Sequence, residues 1–304
     1  MAKSAKTKKK TSKKLTVTEV ILAVIIFILG LLFGDRVIDA DGNTALTDGL
    51  ADGKPAFHFI DVGQGDCTLI TYNGDAVLVD AGPVSAGESA AEYIGSRVDE
   101  LDYFVITHPH EDHMGGAAAI LESIEVKNII MPEREVDTRF YKNAMSVIEE
   151  RGINVIYSEA HAVYDTGSIR ITVIDSVIPD EDDLNNISVV TRIDAGSTSI
   201  MLTGDAEVEA ELQIVENYTT ITGSSLYDPS ILDCDVLKVG HHGSNTSTTS
   251  EFLDLVTPGT AVISCGVDNS YGHPHEETLE LLESYGIKLY RTDRSGTVVL
   301  SGEE

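Results

Sequence analysis

His108-Pro109-His110-Glu111-Asp112-His113 packs three of the chain's nine histidines and two carboxylates into six residues. The apolar run Tyr103-Phe104-Val105-Ile106 before it reads as a buried strand, and Met114-Gly115-Gly116-Ala117-Ala118-Ala119 after it as the start of a helix. The cluster therefore sits on a strand-to-helix loop. In a loop this short, His108 and His110 fan toward one point while Asp112 and His113 turn to a second, a donor set that suits two divalent cations. The alternative is a solvated polar loop with incidental histidines, and the rest of the chain argues against it.

Three later stretches supply matching chemistry. Ser199-Ile200-Met201-Leu202-Thr203 reads as a strand ending in Gly204-Asp205. An Asp after a glycine that permits close approach can bridge two cations, although alone it would read as a helix cap. Val236-Leu237-Lys238-Val239 runs into Gly240-His241-His242-Gly243-Ser244. Adjacent histidines at a strand end point apart, so one ligates metal and the other faces substrate. Tyr271-Gly272-His273-Pro274-His275 opens the last helix, with His273 as a functional candidate and helix capping as the alternative.

The chain of 304 residues, 42% hydrophobic with 26 glycines, suits a globular α/β protein. Its formal net charge is −29 even though seven lysines crowd the first fourteen residues, so the remainder is more acidic still. Such a surface repels nucleic acid at long range, which disfavours a high-affinity DNA binder but not an enzyme whose metals supply local positive charge. The basic tail at 1–14 precedes residues 15–34, an apolar segment of twenty residues. As a helix at about 1.5 Å per residue it spans roughly 30 Å, a bilayer core. The expectation is an uncleaved single-pass anchor in the cell membrane with the tail cytoplasmic and the remainder extracellular, a cleaved signal peptide being the alternative. Residues 35–55 read as a linker and 56–304 as the folded domain.

Within that domain, strands are expected at 57–62 and 67–72, a hairpin turn at Asn73-Gly74, and a return strand at 76–80. Helices follow at 88–98, from about 116 and at 137–150, with strands at 128–131, 154–157, 199–203, 236–239 and 261–264. Hairpins followed by alternating strands and helices point to a mixed sheet sandwich flanked by helices. Cys67, Cys234 and Cys265 are too few and too widely spaced for a disulfide framework, and read as small buried residues.

These motifs resemble the metallo-β-lactamase fold superfamily: His108-x-His110-x-Asp112-His113, Asp80 closing Val77-Leu78-Val79, Thr203-Gly204-Asp205 and the later His pair. More narrowly, 59–66, 237–244 and 271–275 resemble the hydrolase domain of the ComEC family of DNA-internalisation competence proteins. The resemblance runs from about Ala56 to the C-terminus and implies an α/β, four-layer αββα sandwich with a two-metal site at the sheet edges. One apolar segment stands in place of that family's multi-helix channel, so DNA transport is not implied. The superfamily's further histidine between the first motif and the bridging Asp has no counterpart; the matching region reads Asn185-Asn186-Ile187-Ser188, leaving Asn186 or water to complete the first metal.

The implied assignment gives metal one to His108 and His110, metal two to Asp112, His113 and one of His241 or His242, and both to Asp205. Zinc is the default and manganese the alternative. Such a pair acidifies a shared water toward a pKa of about 7 and clamps the oxygens of an in-line displacement. Asp112, His241 and His273 are the catalytic candidates, His273 as leaving-group acid. Ser244 and Asn245 are candidates to hold phosphate oxygens, while Asp61, Gln64, Asp66 and Asp80 stand behind the ligands. The expectation is an extracytoplasmic metal-dependent phosphodiesterase or nuclease, with a phosphodiester or nucleic acid as substrate. An esterase or lactonase and a non-catalytic metal-binding module are the alternatives.

Overall fold

Alternation along three strands decides how the layers stack. In the computed structural model, Val77 and Val79 point to one side of their strand and Leu78 to the other; Phe104 and Val105 part in the same way, as do Ile200 and Met201. A strand whose two faces are both apolar must be covered on both. The structure describes Val37–Ile38, Thr44–Ala45, residues 53–174 and residues 183–303.

The strands, in chain order, are β1 (Val37–Ile38), β2 (Thr44–Ala45), β3 (Ala56–Phe59), β4 (Thr68–Tyr72), β5 (Asp75–Val79), β6 (Glu100–Val105), β7 (Glu125–Met131) and β8 (Asn154–Tyr157). They continue with β9 (Val163–Asp165), β10 (Ile169–Val173), β11 (Thr191–Ala195), β12 (Thr198–Leu202), β13 (Val236–Lys238), β14 (Thr260–Ile263), β15 (Lys288–Arg291) and β16 (Val298–Ser301). One sheet has the order β2-β1-β16-β3-β4-β5-β6-β7-β8 and the other β15-β14-β13-β12-β11-β10-β9. In each sheet one half is parallel, β5 to β8 and β12 to β15.

Phe57, Phe59, Val77, Val105, Ile171, Ile193, Ile200 and Val298 form the core between the sheets. On the outer face of the first sheet, Leu69, Leu78, Phe104 and Ile129 pack against helices α1 (Gly87–Gly95), α3 (Ala117–Ser123) and α4 (Arg139–Arg151); the short α2 (Glu111–Met114) precedes α3. On the outer face of the second, Met201, Leu237 and Ala261 meet α5 (Val208–Thr220), α6 (Ser250–Val256) and α7 (Glu276–Ser284). This is a mixed α/β fold of two facing sheets with helices outside both.

The Asn73-Gly74 turn closes the β4–β5 hairpin with Tyr72 opposite Asp75, and both turn residues have positive φ as the tight turn requires. Two expectations shift. β1 and β2 lie inside the stretch read as a linker, and β1 pairs in parallel with β16. β7 begins three residues before the expected 128 because Val126 is also buried. The expected anchor at 15–34 lies outside the described residues; among the described residues no helix is long and apolar enough to cross a membrane. All three cysteines are free and buried.

Phe104 is fully buried where the first sheet meets its helices. Phe104→Ala should lower unfolding free energy by about 3–5 kcal/mol, read from the urea midpoint at constant slope. A loss under about 1 kcal/mol would contradict the packing described.

Candidate metal centre

The polar residues gather where the parallel strands end. His108 and His110 follow β6, Asp112 and His113 lie on α2, Asp80 follows β5, Asp66 precedes β4, Asp205 follows β12 and the His241-His242 pair follows β13. In open α/β sheets the carboxyl ends of strands are where loops diverge and leave a crevice. Here two sheets bring such ends together. Gly204 allows the approach: its φ is +54°, and a Cβ there would lie 2.9 Å from Thr107 Cβ. Gly65 does the same for the Asp66 loop, since a Cβ would meet the Asp112 carbonyl at 2.3 Å.

Two donor groups share one residue. His108, His110 and Asp205 form the first, and Asp66, His113, Asp205 and His242 the second. His108 Nε2 is 3.0 Å from His110 Nδ1 and 3.8 Å from Asp205 Oδ2. His113 Nε2 is 3.1 Å from Asp205 Oδ1, and His242 Nε2 is 3.6 Å from Asp205 Oδ2 and 3.2 Å from Asp112 Oδ2.

The far nitrogens are held from behind. His113 Nδ1 is 2.8 Å from Asp80 Oδ2, which also accepts from the Thr107 hydroxyl at 2.7 Å. His242 Nδ1 is 3.0 Å from the Ser264 carbonyl, and His108 Nδ1 lies near the hydroxyls of Thr107 and Ser188. Such backing fixes each ring's orientation and frees Nε2 for a cation.

Burial opposes charge on all these groups, so their partners decide. Asp205 and Asp80 hold His113 well above the ordinary imidazole range, and Asp205 and Asp66 raise His242 to about 9. Burial, reinforced by His113, pushes His108 well below its usual value. Despite burial, His113 and His242 keep Asp205 well below the usual carboxylate range, whereas burial wins at Asp80 and raises it. A cation bound here would therefore compete with protons for the His113 and His242 imidazoles. The donor chemistry fits metal: buried His113 Nε2 and Asp205 Oδ1 face each other, yet neither makes an aligned hydrogen bond.

Other expected residues fall differently. Asp66, expected behind the ligands, stands within the second group and is paired with the buried Lys238 ammonium. Asp61 is exposed and caps its own turn at the Gly63 amide, so it does not support the ligands. Gln64 lines the cleft and accepts from the Gly266 amide at 3.1 Å. Ser244 and Asn245 do not line the cleft: the Ser244 hydroxyl meets Thr246, and the Asn245 amide donates to His275 Nδ1. Asn186 is no ligand, because its Oδ1 accepts from the Glu207 amide and its Nδ2 donates to Asp183. His273 lines the cleft, but burial and the neighbouring His242 lower it to about 4.

His241 keeps its Nδ1 3.0 Å from Glu207 Oε1 and turns Nε2 toward Asp205 Oδ2 at 3.8 Å, outside both donor groups. Nothing in the sequence reading gave Glu207 or Lys238 a role. A lone lysine in the apolar run Val236-Leu237-Lys238-Val239 was a signal, since a buried ammonium needs a carboxylate.

Farther back, Glu211 on α5 clamps the loop that follows the His pair. Its Oε1 and Oε2 accept from the Thr248 and Thr249 amides at 2.6 and 2.7 Å. Burial raises it from 4.5 to about 7, the two amide bonds opposing. The folded state therefore holds this proton more tightly than the unfolded chain, and the stability it confers is full below about 4.5 and is lost as pH rises through about 7. The unfolding free energy of the wild type minus that of Glu211→Gln should fall by the order of 3 kcal/mol across that window, read from urea unfolding at several pH values; a difference that stays level would sink it. For the centre itself, Asp205→Ala should release at least one metal ion per chain by elemental analysis, and Asp80→Asn should weaken metal binding by about 10- to 100-fold. Unchanged stoichiometry in Asp205→Ala would refute the shared-ligand geometry.

Comparison with known proteins identifies the family. The profile of the Metallo-beta-lactamase superfamily matches residues 60–267. ComE operon protein 3 of Bacillus subtilis is 31% identical over 258 residues, covering 79% of this chain and 32% of that protein. Recombination protein 2 of Haemophilus influenzae is 32% identical over 247 residues, covering 79% and 28%. The chain spans about a third of the length of these relatives. Among solved structures, the metallo-beta-lactamase fold protein YhfI of Bacillus subtilis matches with a TM-score of 0.54 at 12% identity, covering 82% of this chain and all of that one. CmlA, a diiron beta-hydroxylase of Streptomyces venezuelae, matches with a TM-score of 0.56 at 14% identity, over 82% and 54%. Both structural likenesses concern the fold alone. With the profile spanning most of the folded domain and the donor groups assembled where the sheets meet, the chain belongs to the metallo-beta-lactamase superfamily, whose members are metal-dependent hydrolases.

Proposed function

We propose that this chain is a two-metal phosphodiesterase of the ComEC-like group, anchored in the membrane by residues 15–34 with its hydrolase domain outside the cytoplasm. One observation carries the catalytic reading: Asp205 belongs to both donor groups, so two cations held there would share a carboxylate and stand close together. Bound together, such ions supply an acidified water and a clamp on the attacking and leaving oxygens of a phosphoryl group. Zinc is the first candidate for both positions and manganese the second.

The chain's own residues do the rest. His108 and His110 with Asp205 would hold one ion, and His113, His242 and Asp205, with Asp66 or Asp112, the other. Asp112 is half-buried at the cleft edge, where burial is outweighed by the hydrogen bond from His242, so it stays ionised. His241, backed by Glu207, presents Nε2 where a proton can be held or passed, as a carboxylate-oriented imidazole does. The cleft of about 590 Å³ is of small-ligand size. Likeness to a relative named for recombination favours a nucleic-acid phosphodiester over a lactone. The lysine tail ahead of the apolar segment supports the outward orientation.

Metal analysis of the purified protein, followed by an activity screen over phosphodiester, nucleic-acid, phosphorylcholine-ester and lactone substrates, tests the reading. Two ions per chain and phosphodiester hydrolysis are expected; turnover confined to lactones would overturn it. His241→Ala should retain its metal and lose about 10²–10⁴-fold in kcat, while His242→Ala should lose metal. Loss of metal from both variants would place His241 among the ligands instead.

A further inference from the structure

We propose that Tyr271 is a stacking platform for a nucleobase of a single-stranded substrate, placed beside the metal centre. The inference rests on the phosphodiesterase reading and deepens it. Tyr271 lines the cleft yet is 65% exposed. Its ring stacks on His273, with centroids 5.6 Å apart and planes 23° from parallel. His273 in turn lies 6.2 Å from His242 with planes 30° apart. The ring faces thus step outward from a metal-donor residue in roughly one orientation, and most of the last ring remains open to solvent.

The platform is held in place before any ligand arrives. Asn269 Nδ2 donates to the carbonyls of Gly266 and His273 at 2.9 and 2.6 Å, and Asn269 Oδ1 accepts from the His273 amide at 3.0 Å. The loop is tied to neighbouring segments through the Gly266 amide on Gln64 and the His275 amide on the Gly243 carbonyl. A loop held in this way adds little ordering cost when the ring it carries takes up a ligand.

Charge decides what the ring binds. Among the described residues no lysine or arginine lines the cleft. Nonspecific single-strand binders combine a cationic groove that tracks phosphates with aromatic faces that stack bases. Among the described residues the cleft has no such groove, so beyond the scissile phosphate a strand seated in it would be held through a neutral part, and a base is its planar neutral part. A quaternary ammonium head group fits less well, because it is enclosed by several aromatic faces. Tyr271 is the one phenol or indole lining the cleft among the described residues.

The chain has no tryptophan, so Tyr271→Trp in the full chain creates a sole reporter at the site. Oligothymidylate should quench its fluorescence saturably, and an abasic oligomer of equal length and charge should not. In hydrolysis, the wild type should prefer the base-bearing oligomer by roughly 10- to 100-fold in kcat/KM; Tyr271→Ala should erase that preference and Tyr271→Phe keep it. Equal quenching by the two oligomers, an unchanged preference in Tyr271→Ala, or quenching by phosphorylcholine alone would each overturn the proposal. Thymidine monophosphate competing as tightly as the oligomer would also overturn it, by assigning the ring to a free nucleotide. If no phosphodiester is hydrolysed but oligothymidylate still quenches, the catalytic reading fails while base stacking stands.

Discussion

The ionised carboxylate of Asp205, 2% exposed, constrains everything around it. A buried charge persists only where opposite charge and donors meet it, and removing one partner of such a set costs about 3–5 kcal/mol. Asp205 is met by His113 on one oxygen and faced by His108, His241 and His242 on the other. Each imidazole then needs its own backing, which Asp80, Ser264 and Glu207 provide. Asp66 adds a further buried carboxylate and Lys238 the ammonium that balances it. The polar interior is therefore one connected network, and no member can be read in isolation.

That network is held by backbone that would not adopt its shape alone. Asp80, His241 and His242 all have φ near +50°, a left-handed conformation that costs side-chain-bearing residues of the order of 1–3 kcal/mol each. Local hydrogen bonds impose it: the His241 amide donates to the Gly204 carbonyl, the Ser244 amide to the His241 carbonyl, and the Asp80 amide to the Val105 carbonyl. The three apolar layers on and between the sheets give those anchors their rigidity. Strain concentrated beside the donor groups is what a preorganised site looks like, since the same residues placed on relaxed loops would spread over many geometries.

Legibility in the sequence followed the range of each interaction. Strands with two apolar faces, such as Val77-Leu78-Val79, announce a doubly covered sheet, and Asn73-Gly74 announces its own hairpin, because both signals are local. His108, His110, His113 and Asp205 were legible as donor candidates because their strand-end settings recur in motifs, whereas only the structure separates His242, within a donor group, from His241, outside both. What the sequence could not separate were residues whose roles depend on contacts far along the chain. Asp61 and Asp66 stand five residues apart in one motif, yet one caps a turn and the other faces Lys238, distant in sequence. Ser244 looked apt for phosphate until Thr246 was seen to occupy its hydroxyl. Nor does a sequence carry burial, so nothing in it announced that burial beside His242 holds His273 below the ordinary imidazole range.

The charge pattern ties the site to the whole chain. An acidic protein repels a polyanion, but at physiological salt that repulsion fades within about 8 Å, so recognition is decided inside the cleft. There the carboxylates of Asp66, Asp112 and Asp205 would repel a phosphate as firmly as the surface does, and among the described residues no lysine or arginine lines the cleft to reverse this. Lys238 is spent on Asp66 and buried at 1% exposure. The imidazolium protons on His113 and His242 are internal to the network, directed at carboxylates rather than at the opening. If the substrate is the proposed phosphodiester, local attraction for its phosphate would come from cations held on the two donor groups. Cations held on both donor groups would turn a cleft lined by carboxylates into one able to hold a phosphate, which is what the proposed phosphodiesterase requires.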